Sequence, residues 1–164
     1  MQPCTYATVV CVGATSLVRS DTTRGWRESA WSRTGSGCSA YVAKPSWQTD
    51  KGCRRRSEAD VSVVGDPSTG LAVYDSVPND GYSGWLVFGG TSASSPIVAS
   101  IYALAENGRT IAGASKLWKA LKTPYVNDVT TGSNGTCSIS YICHAGVGYD
   151  GPSGVGTPNG IEAF

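Results

Sequence analysis

Residues 84–105, GWLVFGGTSASSPIVASIYALA, run without a break from a strand pattern through a glycine pair into the most apolar stretch of the chain. GWLVF has the aromatic and β-branched make-up of a strand. IVASIYALA is read as part of a buried helix from about Ser92 to Glu106, with Asn107-Gly108 as its C-cap signal. Pro96 is placed in the first turn, where a missing N–H costs little. The unit therefore sets Ser92 at the start of a helix, directly after a strand and two glycines.

Ser92 has two readings there. Serine often fills the N-cap for structural reasons alone, and local physics favours that assignment. The alternative is a nucleophile. A helix N-terminus offers unpaired N–H groups and a partial positive charge that can hold a developing oxyanion. Gly89 and Gly90 would let a substrate backbone approach closely. A nucleophilic serine also needs a base. The only histidine is His144, beside Cys143 and expected at the surface. Ser92 lies in Gly-Thr-Ser-Ala-Ser, so the G-x-S-x-G elbow of α/β-hydrolases is absent. A plain Ser–His–Asp hydrolase is disfavoured.

Around this unit, TYATVVCVGATSL (5–17) reads as a buried strand, and ADVSVVGDP (59–67) and LAVYDS (71–76) as two more, with Asp66–Gly70 the turn between the last two. Residues 24–53 read as a Gly/Ser/Trp-rich loop region, and ASKLWKALK (114–122) as a short amphipathic helix. The tail from Asn127 is loop-dominated and glycine-rich. Strands mixed with core helices indicate a layered α/β domain.

The chain has 164 residues, 40% hydrophobic, which suits one globular domain with a substantial core. Its formal charge is +1, and the only basic run, Arg54-Arg55-Arg56, is too short to track phosphates and is expected on a solvated loop face. No nucleic acid and no membrane are therefore expected as partners; IVASIYALA is too short to span a bilayer. Six cysteines fall into close pairs, Cys4 with Cys11, Cys38 with Cys53 and Cys137 with Cys143, without CxxC spacing. That reads as disulfides and an oxidising, extracellular compartment, although no signal peptide is visible.

In the tail, Asp128-Val129 is followed by Gly146-x-Gly148-x-Asp150. Two carboxylates and carbonyls from a glycine-rich loop are hard oxygen ligands suited to Ca²⁺. A disulfide-pinned turn with solvated aspartates is equally consistent with the residues alone. Asp60 and Asp75 read as strand-end caps. Trp26, Trp31, Trp47 and Trp85 are candidates for a cleft lining or for packing, and Asn134-Gly135-Thr136 fits a glycosylation sequon.

GGTSASSP resembles the serine motif of the subtilisin-like superfamily. Together with VVCVGATSL, RGWRESAWSRTGSGCSAY, KPSWQ, ADVSVVGDPSTGLAVYD and the tail DVTTGSNGTC…GVGYDGPSGVGTPNG, it is similar, in order and over most of the chain, to the sedolisins, the serine-carboxyl peptidases. The resemblance implies a subtilisin-like three-layer α/β fold with a mostly parallel sheet, incomplete at its N-terminal side. Residues 1–164 would be the C-terminal part of the peptidase domain, and 126–160 its calcium-binding loop region. It implies an endopeptidase acting on polypeptides through an acyl-enzyme on Ser92, activated by a Glu backed by an Asp. A second Asp would help form the oxyanion site. A carboxylate base suits acidic conditions. The chain has no Glu-x-x-x-Asp and no Ser-Gly-Asp, so these partners are expected from the N-terminal portion of the domain. For the tail, the resemblance implies one Ca²⁺ site with carboxylates of Asp128 and Asp150 and carbonyls of Val129, Gly146 and Gly148. The competing reading is an inactive relative acting as a calcium-stabilised binding or structural domain. A His-dependent subtilisin-like protein is a third.

Overall fold

The computed structural model describes residues 3–106 and 113–164. Strand β1 (Val12–Arg19) is the hub. It pairs antiparallel with β2 (Trp26–Ala30); β3 (Gly37–Ala43) and β4 (Arg55–Glu58) form a separate antiparallel pair; and β5 (Val61–Val64) runs parallel to β1 on its other edge. The register Val12↔Val61 to Thr15↔Val64 brings both carboxyl ends to the same side. β6 (Leu71–Asn79) and β7 (Tyr82–Phe88) make an antiparallel ribbon, and α1 (Thr91–Leu104) lies against β1 and β5. α2 (Ser115–Lys119) follows, and β8 (Val126–Asn127) pairs with β9 (Thr157–Pro158).

Val61, Ser62 and Val63 of β5 are all buried, as befits a parallel strand covered on both faces. Val61 and Val63 share one core with Val98 of α1, Leu117 and Trp118 of α2, Val126, Val155 and Phe164. Tyr102 meets Phe164 edge-on at 5.0 Å. The α/β class stands, with β1 and β5 the parallel strand pair and one further parallel bridge between Ala30 and Gly132. The three disulfides Cys4–Cys11, Cys38–Cys53 and Cys137–Cys143 are formed.

Several boundaries differ from the sequence expectation. β1 starts at Val12, not Thr5, because the Cys4–Cys11 bridge closes residues 4–11 into turns held by Tyr6 N–H on Pro3 and Val9 N–H on Tyr6. The 24–53 region holds β2 and β3; β2 lacks an alternating pattern but is recruited by the ladder to β1. α1 spans 91–104, and the expected Asn107-Gly108 cap lies outside the described residues. α2 stops at Lys119, and Lys122 adopts a positive φ of 65°. The apolar helix α1 buries only Ser94 and Val98 completely, and Leu104 is 70% exposed.

The arginine run is not a solvated face. Arg54 and Arg55 are exposed, but Arg56 is fully buried. Its guanidinium grips Asp60, also fully buried, with Nη1 on Oδ1 at 2.9 Å and Nη2 on Oδ2 at 2.5 Å. Asp60 further accepts the Trp118 indole N–H at 3.0 Å and the Cys11 amide at 2.8 Å. Four donors converge on one carboxylate, and this joins α2, β4 and the entry to β1 beside the first residue of β5.

The loop 150–156 packs onto the same strand. Val155 N–H donates to the Asp60 carbonyl at 2.8 Å and Ser62 N–H to the Gly156 carbonyl at 3.0 Å. Gly154 makes this possible, with φ +66° and room for no Cβ, since one would fall 2.2 Å from the Asp60 carbonyl carbon. Gly154→Ala should therefore lose at least about 2 kcal/mol, from left-handed strain and the clash together. The midpoint in urea is the measurement.

Candidate active site and calcium loop

Gly65 follows β5, and its carbonyl accepts the Gly90 N–H at 2.5 Å. That bond fixes the start of α1 at the carboxyl end of the parallel pair, the place where open α/β sheets present ligand sites. Gly90 is the N-cap, with φ 89°, and no side chain caps the helix. Ser92 is therefore not the cap that local physics favoured. It occupies the second helical position, is exposed, and its hydroxyl has no hydrogen-bond partner among the described residues. The structural hydroxyl is Ser94, fully buried and donating to the Val64 carbonyl at 3.1 Å. Pro96 lies in the second turn, not the first, and has no N–H to give the Ser92 carbonyl.

Ser92 opens onto an apolar groove of about 380 Å³ lined by Leu71, Val73 and Phe88 of the ribbon and Ala93, Pro96, Ile97 and Ser100 of α1. No lining residue is titratable. His144 is exposed, as expected, and is not among them. Asp66, next to Gly65, is spent on structure: it accepts Ser16 Oγ at 2.6 Å and the Ser68 amide at 2.9 Å. The Ser16 hydroxyl holds its carboxyl below the usual range, which makes it a weaker base. Asp75 accepts the Val77 amide as a local cap, whereas Asp60 is the network centre described above. None of the four tryptophans lines the groove. Trp47 packs on Trp118 at 6.0 Å, and Trp85 is exposed on the ribbon.

The tail brings its expected residues together. Asp128 Oδ2 accepts the Gly148 amide and Asp150 Oδ2 the Gly146 amide, both at 2.9 Å. Asp150 Oδ1 accepts the amide and hydroxyl of Ser153 at 2.8 Å each. Asp150 and Val129 are buried, while Asp128 is exposed. Burial pushes the Asp150 carboxyl up to about 6, against its hydrogen bonds, and the neighbouring Asp128 charge adds to the rise. No cationic side chain pairs with Asp150 among the described residues. A desolvated carboxylate beside a second one, with no cation, is a donor set that fits a hard divalent ion. The one cluster of three potential ligating side chains found among the described residues is Cys4, Cys11 and Glu58, and its sulfurs are tied up in their own disulfide.

Sequence reasoning missed the Arg56–Asp60–Trp118 network because Arg56 is hidden in a basic run. It also missed Glu28, whose carboxylate accepts Thr15 Oγ1 at 2.8 Å and Thr157 Oγ1 at 2.7 Å and pairs with Arg24. The Asn134 side-chain nitrogen donates to the Thr34 carbonyl and Ser36 Oγ, so the sequon amide is engaged in the fold.

A parallel strand pair whose carboxyl end carries a Gly-Gly-Thr-Ser helix defines a subtilisin-like α/β protein. No family model matches the chain. It is 30% identical to sedolisin of Pseudomonas sp. (strain 101) over 94% of its own length and 28% of that protein's. To kumamolisin of Bacillus sp. (strain MN-32) it is 32% identical, covering 94% of the chain and 30% of the relative. The solved structure of Pseudomonas sedolisin, a serine-carboxyl proteinase complexed with two molecules of pseudo-iodotyrostatin, superposes with a TM-score of 0.77 at 32% identity. That match covers 96% of this chain and 45% of the other. The chain belongs to the sedolisin family, and it spans under a third of the length of the relatives it matches in sequence.

Proposed function

We propose that the chain is the serine-bearing part of a secreted serine-carboxyl endopeptidase and that Ser92 is its nucleophile. The observation that carries this reading is the exposed hydroxyl of Ser92 at the start of α1, without a hydrogen-bond partner among the described residues and opening onto the groove. The Ser92 oxygen would attack a peptide carbonyl, the C–N bond would break as the amine leaves with the proton taken from Ser92, and water would then hydrolyse the acyl-enzyme to release the acid and restore the hydroxyl. The helix N-terminus favours the negative charge developing on the carbonyl oxygen. The proton of Ser92 must pass to a base, and the groove holds none, so a carboxylate outside the groove's own lining takes that role. Disulfides support an oxidising, extracellular setting, and no described helix is long and apolar enough to cross a membrane.

One Ca²⁺ would be held by the carboxylates of Asp128 and Asp150 with carbonyls of Val129, Gly146 and Gly148. Its chemistry would be charge compensation of the buried Asp150 carboxylate and the exposed Asp128 beside it, a role separate from that of the serine. The protein's own residues orient the two carboxylates through the Gly146, Gly148 and Ser153 donors.

The test is peptide hydrolysis at acidic pH, for wild type and Ser92→Ala, with the chain alone and mixed with the portion of Pseudomonas sedolisin it does not match. The chain alone should stay at background, and the mixture should show turnover that Ser92→Ala lacks. Vigorous turnover by the chain alone, or turnover unaffected by Ser92→Ala, would contradict the reading. The non-enzyme reading has one observation in its favour, the absence of a titratable group among the described residues that line the groove, and it predicts no turnover in either sample.

A further inference from the structure

The first turn of α1 is held weakly by the helix itself. No side chain caps it, and Pro96 has no N–H to give the Ser92 carbonyl, so one intrahelical bond of that turn is missing. Its hold comes from the end of β5 instead. The Gly90 N–H donates to the Gly65 carbonyl at 2.5 Å, and one turn further on the Ser94 hydroxyl donates to the Val64 carbonyl at 3.1 Å. Two consecutive carbonyls at one strand end thus bind both ends of a single helical turn. The fit is close. A Cβ on Gly65 would fall 2.5 Å from Ser94 Oγ and 3.1 Å from the Gly90 carbonyl oxygen. Ser94 and Val98 are the buried residues of α1, and their spacing of four puts them on one face. Ser92 is two residues from Ser94, about 200° round the helix, and is exposed at the groove.

We infer that Ser94 is a positioning residue for Ser92. A helical turn tied down at Gly90 alone can still rotate about that bond. The second tie, from Ser94, fixes the rotation of the turn and with it the direction of the residue on its far side. Val64 is the last residue of β5, so the tie is made to the rigid end of a buried strand. Ser94 is itself fully buried, which holds its hydroxyl in one place. Alanine at this position would leave the turn with one tie, while the apolar packing of α1 through Val98 stays intact. Fixing the turn aims the unpaired N–H groups of the helix start at the atom carried by position 92 and keeps that atom turned to the groove. The consequence for acyl transfer rests on the proposed function, whereas the fixed orientation does not.

The experiment reads position 92 chemically, on the full chain. Ser92→Cys places a single free thiol there, because the native cysteines are all paired. Its alkylation by iodoacetamide is followed against pH. A thiol faced by helix N–H groups ionises more readily than an ordinary cysteine, so the midpoint in Ser92→Cys is expected below about 8.5. Adding Ser94→Ala should raise that midpoint by roughly half a pH unit, the size of the field at a surface helix terminus. Adding Gly65→Ala, whose methyl displaces the same hydroxyl from the strand side, should raise it likewise, and it gives the same readout if Ser94→Ala folds poorly. Adding Val98→Ala opens a cavity on the same face of α1 one turn on. It should lower the urea midpoint at least as much as Ser94→Ala does and leave the alkylation midpoint in place. An alkylation midpoint unmoved by Ser94→Ala and Gly65→Ala overturns the inference. So does one that Val98→Ala raises equally, which would make Ser94 a packing residue only. So does an ordinary midpoint in Ser92→Cys itself, which would mean that the helix N–H groups are not aimed there. Peptide hydrolysis is a separate readout: in the mixture with the sedolisin portion, Ser94→Ala should lower turnover about tenfold or more at an unchanged half-saturating substrate concentration. A mixture that hydrolyses nothing removes the peptidase reading and leaves the alkylation result to decide the role of Ser94.

Discussion

Asp60→Ala is expected to leave the protein largely unfolded at room temperature. The substitution strands the Arg56 guanidinium, fully buried, without its bidentate partner. Removing one member of a buried ion pair costs about 3–5 kcal/mol, because the other charge stays desolvated and uncompensated. Here the loss is deeper, since the Trp118 indole and the Cys11 amide lose their acceptor as well. Each unsatisfied buried donor adds about 1 kcal/mol or more. Against a total stability of about 5–15 kcal/mol, little remains. The double variant Arg56→Met with Asp60→Leu is expected to recover part of the loss, because an apolar pair of similar volume leaves no charge to compensate. Denaturant midpoints for wild type, the single and the double variant check this. A single variant within about 1 kcal/mol of wild type would contradict it. The consequence for the site is direct: Asp60 precedes β5, and the far end of β5 holds Gly90 and hence the start of α1.

The parts of this fold that could be read in advance are those in which a local pattern and its tertiary environment agree. ADVSVV is apolar and β-branched because β5 is buried on both faces, and GWLVF runs into α1 as its residue types require. The disulfide pairs followed from proximity along the chain. What escaped was set by partners distant in sequence. WRESA forms β2 only because the edge of β1 accepts it. Arg56 is buried because Asp60, Trp118 and the Cys11 amide surround it, and no property of Arg54-Arg55-Arg56 distinguishes the third arginine from the first two. IVASIYALA reads as a buried helix, yet its sequence reports the environment the helix is suited to, and the ribbon side of α1 is open here. At the candidate site, the position of Ser92 was legible while its local role was not. Capping went to the Gly90 backbone and the structural hydrogen bonds to Ser94, two residues away, and this leaves the Ser92 hydroxyl without a partner among the described residues.

Calcium removal is expected to have the other large effect, and its sign depends on pH. Without metal, burial raises the Asp150 carboxyl from 3.8 to about 6, so the folded state prefers it neutral. A group raised in this way contributes stability that is complete below its unfolded value near 4 and is lost as pH rises through about 6. The shift is worth on the order of 3 kcal/mol. The metal-free protein should therefore be more stable at pH near 4 than near 7 as far as this group is concerned. Calcium at the proposed site would act in the opposite sense, because it would bind the ionised pair Asp128 and Asp150 and compete with the proton. At a concentration about a hundredfold over its dissociation constant it adds about 2.7 kcal/mol, or roughly 5–10 °C in Tm for a chain of this size. Thermal melts with calcium and with a chelator should thus diverge at neutral pH and converge towards pH 4. Asp150→Asn, which keeps a side-chain oxygen for Ser153 but removes the titrating charge, should abolish both the calcium response and the neutral-pH loss of the metal-free protein. A calcium response that survives in Asp150→Asn would move the ion elsewhere, and no response in wild type would leave Asp150 as a buried acid whose hydrogen bonds to Gly146 and Ser153 are its whole role.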